Sequence, residues 1–143
     1  MTEVALAALF RAIQQRAVEG TPPWGQEVHL SPAPMGTAYP YLVYQKQAGG
    51  EINQRRSRDA EFVMAIKVID DSLASALGAA ASISDRFNDA GLFDRPADPL
   101  DGGPDWVIQT TTEEQSVFYT ERIDGELVYH SGAQFRVRMG SVS

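Results

Sequence analysis

Residues 117–139 read Val117-Phe118-Tyr119-Thr120-Glu121-Arg122-Ile123-Asp124-Gly125-Glu126-Leu127-Val128-Tyr129-His130-Ser131-Gly132-Ala133-Gln134-Phe135-Arg136-Val137-Arg138-Met139. Asp-Gly between two β-prone runs is a strong hairpin signal, because a type I′ turn needs positive φ at both central residues. A two-residue turn at Asp124-Gly125 fixes the register: Ile123 faces Glu126, Thr120 faces Tyr129, Tyr119 faces His130 and Phe118 faces Ser131. Strand alternation then puts Leu127, Tyr129, Ala133, Phe135, Val137 and Met139 on one face, and His130, Gln134, Arg136 and Arg138 on the other. Gly132 is a candidate bulge, which would flip the parity after it. One apolar and one polar-basic face describe a sheet that helices cover on one side, with the polar side free for a neighbour.

The pair His130-Ser131 invites a hydrolytic reading, and the same alternation argues against it. Adjacent strand residues point to opposite faces, so the two cannot act as base and nucleophile in a regular strand. The other histidine, His29, sits in a proline-rich loop, and the chain has no Gly-x-Ser-x-Gly elbow. His130 is expected to be a partly exposed strand histidine, and no catalytic residue is assigned.

Outward from the hairpin, helices and strands alternate. Glu61–Ile69 is the clearest strand, with Phe62, Met64, Ile66 and Val68 on one face and Glu61, Ala65 and Lys67 on the other. Asp70, Asp71 and Ser72 supply N-cap chemistry for a helix over 72–88, whose stripe is Leu73, Ala76, Leu77, Ala80, Ile83 and Phe87. A first helix over 3–18 follows Thr2 as N-cap and buries Leu6, Leu9, Phe10, Ile13 and Ala17. The Pro-rich loop 19–40 holds a candidate short strand at Gln26–Leu30. Strands then occupy 41–69, where Tyr41–Gln45 is ended by Gly49-Gly50. An acidic loop fills 89–105, and strands over 106–139 include Trp106–Thr112 and Val117–Ile123. This predicts one α+β domain over residues 1–143: a mixed, mainly antiparallel sheet with two amphipathic helices on one face.

Composition narrows the function. The net charge is −7 and there is no cysteine among 143 residues. Acidity argues against a general nucleic-acid binder, although DNA can pass such a surface without sticking. Absence of cysteine excludes a disulfide framework, a thiolate zinc site and a cysteine nucleophile. The first residues have no basic leader, and no apolar run approaches the ~20 residues that cross a bilayer, so the chain is expected to be soluble and made in a bacterial cytoplasm. Asp94, Asp98, Asp101 and Asp105 lack calcium-loop spacing, and Gly102-Gly103 lacks the context of a phosphate loop. Neither cofactor nor metal is expected. The basic cluster Arg55-Arg56-Ser57-Arg58 reads either as a solvated loop or as a docking loop for acidic groups on a partner or on a second copy.

In order and spacing, these segments resemble a known family. The helix Val4–Ala17, the opening Tyr39-Pro40-Tyr41-Leu42-Val43-Tyr44, and Phe62–Val68 running into Asp70-Asp71-Ser72 and an alanine-rich helix carry the likeness. So does the close on Tyr129-His130-Ser131-Gly132 and Phe135-Arg136-Val137. Over nearly the whole chain this is similar to the tail-terminator (tail-completion) proteins of long-tailed bacteriophages and gene transfer agents. The resemblance implies a non-enzymatic virion protein that forms a homo-hexameric ring at the head-proximal end of the tail. There it ends tube polymerisation and meets the major tail-tube protein and the head–tail connector, with DNA passing through the lumen and no membrane contact. The acidic loop departs from compact members. Arg55, Arg56, Arg58, Gln134, Arg136 and Arg138 are the candidate subunit or partner contacts. Two alternatives stand beside this reading: another head–tail connector or minor tail protein, and a ligand-binding or hydrolytic α+β protein using Tyr119, His130 and Trp106 around a pocket.

Overall fold

The computed structural model describes residues 4–54, 57–88 and 100–142. Its elements are α1 (Ala5–Val18), β1 (Val28–Leu30), β2 (Tyr41–Gln54), β3 (Ser57–Asp70), α2 (Leu73–Phe87), β4 (Trp106–Ile123) and β5 (Glu126–Ser141). The strands form one sheet in the order β1-β2-β3-β5-β4, with β1 parallel to β2 and every other pair antiparallel. Both helices pack on one face. This is the expected α+β architecture.

The Asp-Gly hairpin sets the register. Asp124 and Gly125 have φ of 51° and 82°, the type I′ requirement. Ile123 pairs with Glu126, Thr120 with Tyr129, Tyr119 with His130 and Phe118 with Ser131, as the turn dictates. Gly132 is not a bulge: the β3–β5 ladder runs unbroken from Asp59–Gly140 to Asp70–Tyr129. Its missing side chain has another cause. A Cβ there would lie 2.1 Å from the Ile66 carbonyl oxygen and 2.5 Å from Lys67 Cα.

The irregularities fall on the neighbouring strands, between Lys46 and Ala48 in β2 and at two places in β4. These bulges overturn two expectations. Gly49-Gly50 does not end β2, since Gly49 takes φ of 99° beside the Lys46/Ala48 bulge and the strand continues to Gln54. Trp106–Thr112 and Val117–Ile123 are one strand, because the two bulges absorb the polar stretch between them. β3 likewise begins at Ser57 rather than Glu61, so Arg58 is a strand residue.

The helix side holds the main core. α1 buries Ala5, Ala8, Leu9, Ala12, Ile13 and Ala17, with Leu6 and Phe10 only half-buried at its flank. The alanines let the helix sit close to its neighbours, which rotates the buried face away from the larger side chains. α2 turns the same way: Ala76, Ala79, Ile83 and Phe87 are buried, while Leu73 and Leu77 are 45% and 51% exposed. Ser72 caps α2, accepting from the Ser75 N–H at 3.4 Å. Thr2 lies outside the described residues, and α1 starts after Val4 without a side-chain cap. The helices lock through backbone carbonyls, with Arg16 donating to Arg86 O at 2.8 Å and Arg86 donating to Arg16 O at 3.0 Å. Trp24 ties in the Pro-rich loop by donating to Ala17 O at 2.8 Å.

Candidate assembly surface

The far face of the sheet has two halves. Near the hairpin turn a small second core forms from Val43, Ile69 and Val128, against which Ala33, Tyr39, Tyr41 and Ile123 pack. The loop that follows β1 therefore lies over this half, which is not the free polar surface that alternation suggests. Burial, then the acids Glu126, Asp71, Glu121 and Asp124, hold the Tyr39 phenol above its usual range. This end of the molecule is acidic.

Beside this second core lies His130. It is 5% exposed, a correction to the partly exposed histidine expected from the strand. Its ring stacks on Tyr119 with centroids 4.2 Å apart, and its Nε2 meets Glu121 Oε2 at 2.8 Å. The Lys67 ammonium hydrogen-bonds the Tyr119 hydroxyl and lies 4.8 Å from the centre of that ring. Burial and then the Lys67 charge push the imidazole below its ordinary value of 6.5, while Glu121 pulls the other way. Ser131 is buried on the opposite face, so it is not a nucleophile for this imidazole. Trp106 is buried against the helix-side core, and the structure does not bring it together with Tyr119 and His130. His29 meets Glu27 at 3.0 Å elsewhere.

The other half of the far face carries the predicted contacts Gln134, Arg136 and Arg138, and here the structure does bring them together. Arg136 bonds Glu114 at 3.1 Å and also Glu61, and these hydrogen bonds raise its pKa further. Arg138 meets the second oxygen of Glu61 at 3.5 Å, and Gln134 bonds Gln47. Glu61 and Glu114 are the partners that reasoning from one strand misses, since pairing across three strands sets them in place. Arg55 and Arg56 lie outside the described residues, and Arg58 pairs with Asn53 in the β2–β3 ladder. Asp94 and Asp98 also lie outside. Asp101 Oδ1 accepts from Gly103 N–H at 2.9 Å, closing its own turn. Among the described residues no group of three acidic or histidine side chains is placed to hold a metal ion, and no helix is long and apolar enough to cross a membrane.

No family model and no curated protein matches the chain. Among solved structures, the fold is similar to a chain of the virion of a native gene transfer agent particle. The TM-score is 0.69 at 20% identity, covering 95% of this chain and 97% of that one.

Proposed function

We propose that this protein is a structural component of a phage or gene-transfer-agent particle: a tail terminator whose copies close into a ring, end tube polymerisation and present a surface to the neck. The observation that carries the reading is fold similarity to a virion chain over 95% of this chain and 97% of that one. Two features support it. The histidine with the most unusual surroundings is engaged by its own strand neighbour, with its adjacent serine on the other side of the sheet. The chain also carries a net charge of −7, which suits a lumen that DNA traverses without adhering.

Light scattering and negative-stain microscopy of the purified chain, alone and with its tail-tube protein, test the proposal. The expected result is rings of uniform copy number that arrest tube growth when added to polymerising tube protein. A chain that stays monomeric in both settings, and leaves tube length unchanged, overturns it. A ring that binds the portal side of the neck but does not limit tube length assigns the connector role instead.

A further inference from the structure

We infer that copies of this chain join edge to edge, the hairpin-proximal half of β4 in one copy pairing antiparallel with the uncovered half of β2 in the next. The inference rests on the ring reading and names its contact. β4 ends the strand order on one side of the sheet. On the other side β1 pairs with β2 only at Leu42, Val43 and Tyr44, so no described strand covers β2 beyond them. Glu113 N–H takes the Asn88 side chain at 3.3 Å, and past the last β4 bulge the stretch Gln115–Arg122 is regular. Among the described residues both stretches are open, and long open edges invite pairing with another chain. This one presents Phe118 and Tyr119 on opposite faces, 49% and 43% exposed, and an added strand would cover both.

Strand direction decides how the edges meet. β2, β3, β5 and β4 alternate in direction, so β2 and β4 run opposite ways. A head-to-tail neighbour in the same orientation therefore meets β4 antiparallel, and the alternation continues through every copy.

β1 decides the height. Phe118 lies level with Leu42, through Ser131 and Val68. At that level the neighbour's β2 is already occupied by its own β1, so the neighbour must slide along the strands. Bringing Ala48 to Phe118 takes the ladder steps Val43, Tyr44, Gln45, Lys46 and Ala48. At ~3.4 Å per residue that slide is about 17 Å, and four long strands at ~4.8 Å spacing are about 19 Å wide. The resulting slope of roughly 42° falls inside the ~35–45° strand tilt that a closed barrel requires. At this offset Arg122 and Ile123 fall level with residues that the neighbour's β1 already pairs, so β1 sets the direction of the slide, closure sets its size, and the added ladder is confined to Gln115–Thr120.

Charge and side-chain size agree with the slide. In sequence, residues 45–58 carry Lys46, Arg55, Arg56 and Arg58 against Glu51, net +3. Residues 113–126 carry Glu113, Glu114, Glu121, Asp124 and Glu126 against Arg122, net −4. The two arms thus carry opposite net charge in sequence. Outward-facing backbone groups must meet, so near this register Ser116 falls opposite Gly49 or Glu51, with Gly50 one step along. A Cβ on Gly50 would meet nothing within 4 Å, and its φ is outside the left-handed region, so nothing within the chain requires glycine there. Close approach of a second backbone does.

The chain has no cysteine, so a Ser116→Cys/Ala48→Cys double variant, which leaves Gly50 in place, tests the contact cleanly. A thiol crosslinker of about 10 Å tolerates roughly three residues of register error. Expected is a ladder of covalent multimers up to the ring's copy number, absent from either single variant. Thr120→Pro is the second arm. The turn places Thr120 N–H away from β5, so proline removes an outward donor only. Its melting should stay near wild type while ring formation weakens at least tenfold. Wild-type rings without a ladder from the double variant overturn the edge assignment and leave the ring standing. A covalent dimer from Ser116→Cys alone shows β4 pairing with β4 about a two-fold axis and overturns it too. Wild-type protein that stays monomeric with tube protein present overturns the ring reading, and this contact with it.

Discussion

Gly132→Ala is the sharpest test of the sheet's centre. The substitution adds one methyl group in a strand with ordinary φ, so backbone strain plays no part. The added Cβ would sit 2.1 Å from Ile66 O, 2.5 Å from Lys67 Cα and 2.9 Å from Lys67 Cβ. Two of these three atoms are backbone, in the middle of a ladder that runs from Asp59–Gly140 to Asp70–Tyr129. They cannot swing aside as a side-chain end does. Restoring a normal separation means moving β3 and β5 apart by about an ångström, and overpacking of this kind costs about 1–3 kcal/mol, occasionally more. We expect a loss near the upper end, about 3 kcal/mol. With a urea slope of roughly 2 kcal/mol per molar, the unfolding midpoint falls by about 1.5 M at unchanged slope. Gly50→Ala is the internal control. Its Cβ meets nothing within 4 Å, and fewer unfolded conformations should leave it neutral or more stable by up to about 1 kcal/mol. Urea titration of both variants under monomeric conditions decides. A Gly132→Ala midpoint within 0.2 M of wild type, about 0.4 kcal/mol, would refute the unbroken β3–β5 ladder and restore the bulge.

Three further predictions follow from packing and charge. Phe135 is fully buried with its ring 6.0 Å from Phe87, so Phe135→Ala should cost about 3–5 kcal/mol; calorimetry showing a loss under 1 kcal/mol would contradict the core assignment. On α2, Leu77→Ser should change stability by less than about 0.5 kcal/mol whereas Ala79→Leu should cost about 1–3 kcal/mol, and the reverse order in urea would mean the helix sits rotated. His130 is held neutral by burial and Lys67, with its folded pKa below 6.5. The unfolded chain therefore binds the extra proton: the stability tied to this group is fully present above about pH 6.5 and is lost as pH falls from there to the folded value, by at most about 1.4 kcal/mol per pH unit. His130→Gln should flatten that slope between pH 6.5 and 5. Parallel profiles for the two proteins would dismiss the group.

What is legible in the sequence is local. Asp124-Gly125 names its own turn, and a two-residue turn leaves only one register, so the hairpin pairings follow from the residues alone. The separation of His130 from Ser131 follows from the same alternation. The errors come from distance. Gly49-Gly50 looks like a stop because glycine weakens strands, but one glycine instead absorbs a positive φ where β2 passes close to β3. Periodicity places the helix stripes within one residue but favours Leu73 and Leu77 over Ala79, because it weighs apolarity and not how closely a helix can approach its sheet. The burial of His130 depends on Tyr119 across the strand and on the neighbouring small core beneath the loop after β1, a contact between segments far apart in sequence. Glu61 and Glu114, which hold Arg136, can be found only by knowing the strand order.

That last pairing changes where subunit contacts are best sought. The sequence favours Gln134, Arg136 and Arg138 because they are polar and share a face. In the folded chain each already has a partner on another strand: Gln47, the Glu61–Glu114 pair, and Glu61 again. Recruiting Arg136 to a second subunit would break two charge-assisted bonds to form others, a near-neutral exchange at a half-exposed site. An open strand edge stands differently. Its backbone groups exchange water for an ordered ladder while apolar side chains such as Phe118 leave solvent, and the second term has no internal competitor. A single face of the sheet also cannot close a ring, since head-to-tail closure needs two different surfaces on each copy. The two edges are different from each other, run in opposite directions and belong to stretches of opposite net charge in sequence. The far-face network is better understood as the brace that keeps the β2–β3 and β4–β5 arms in fixed relation, so that both edges arrive at the neighbour in register.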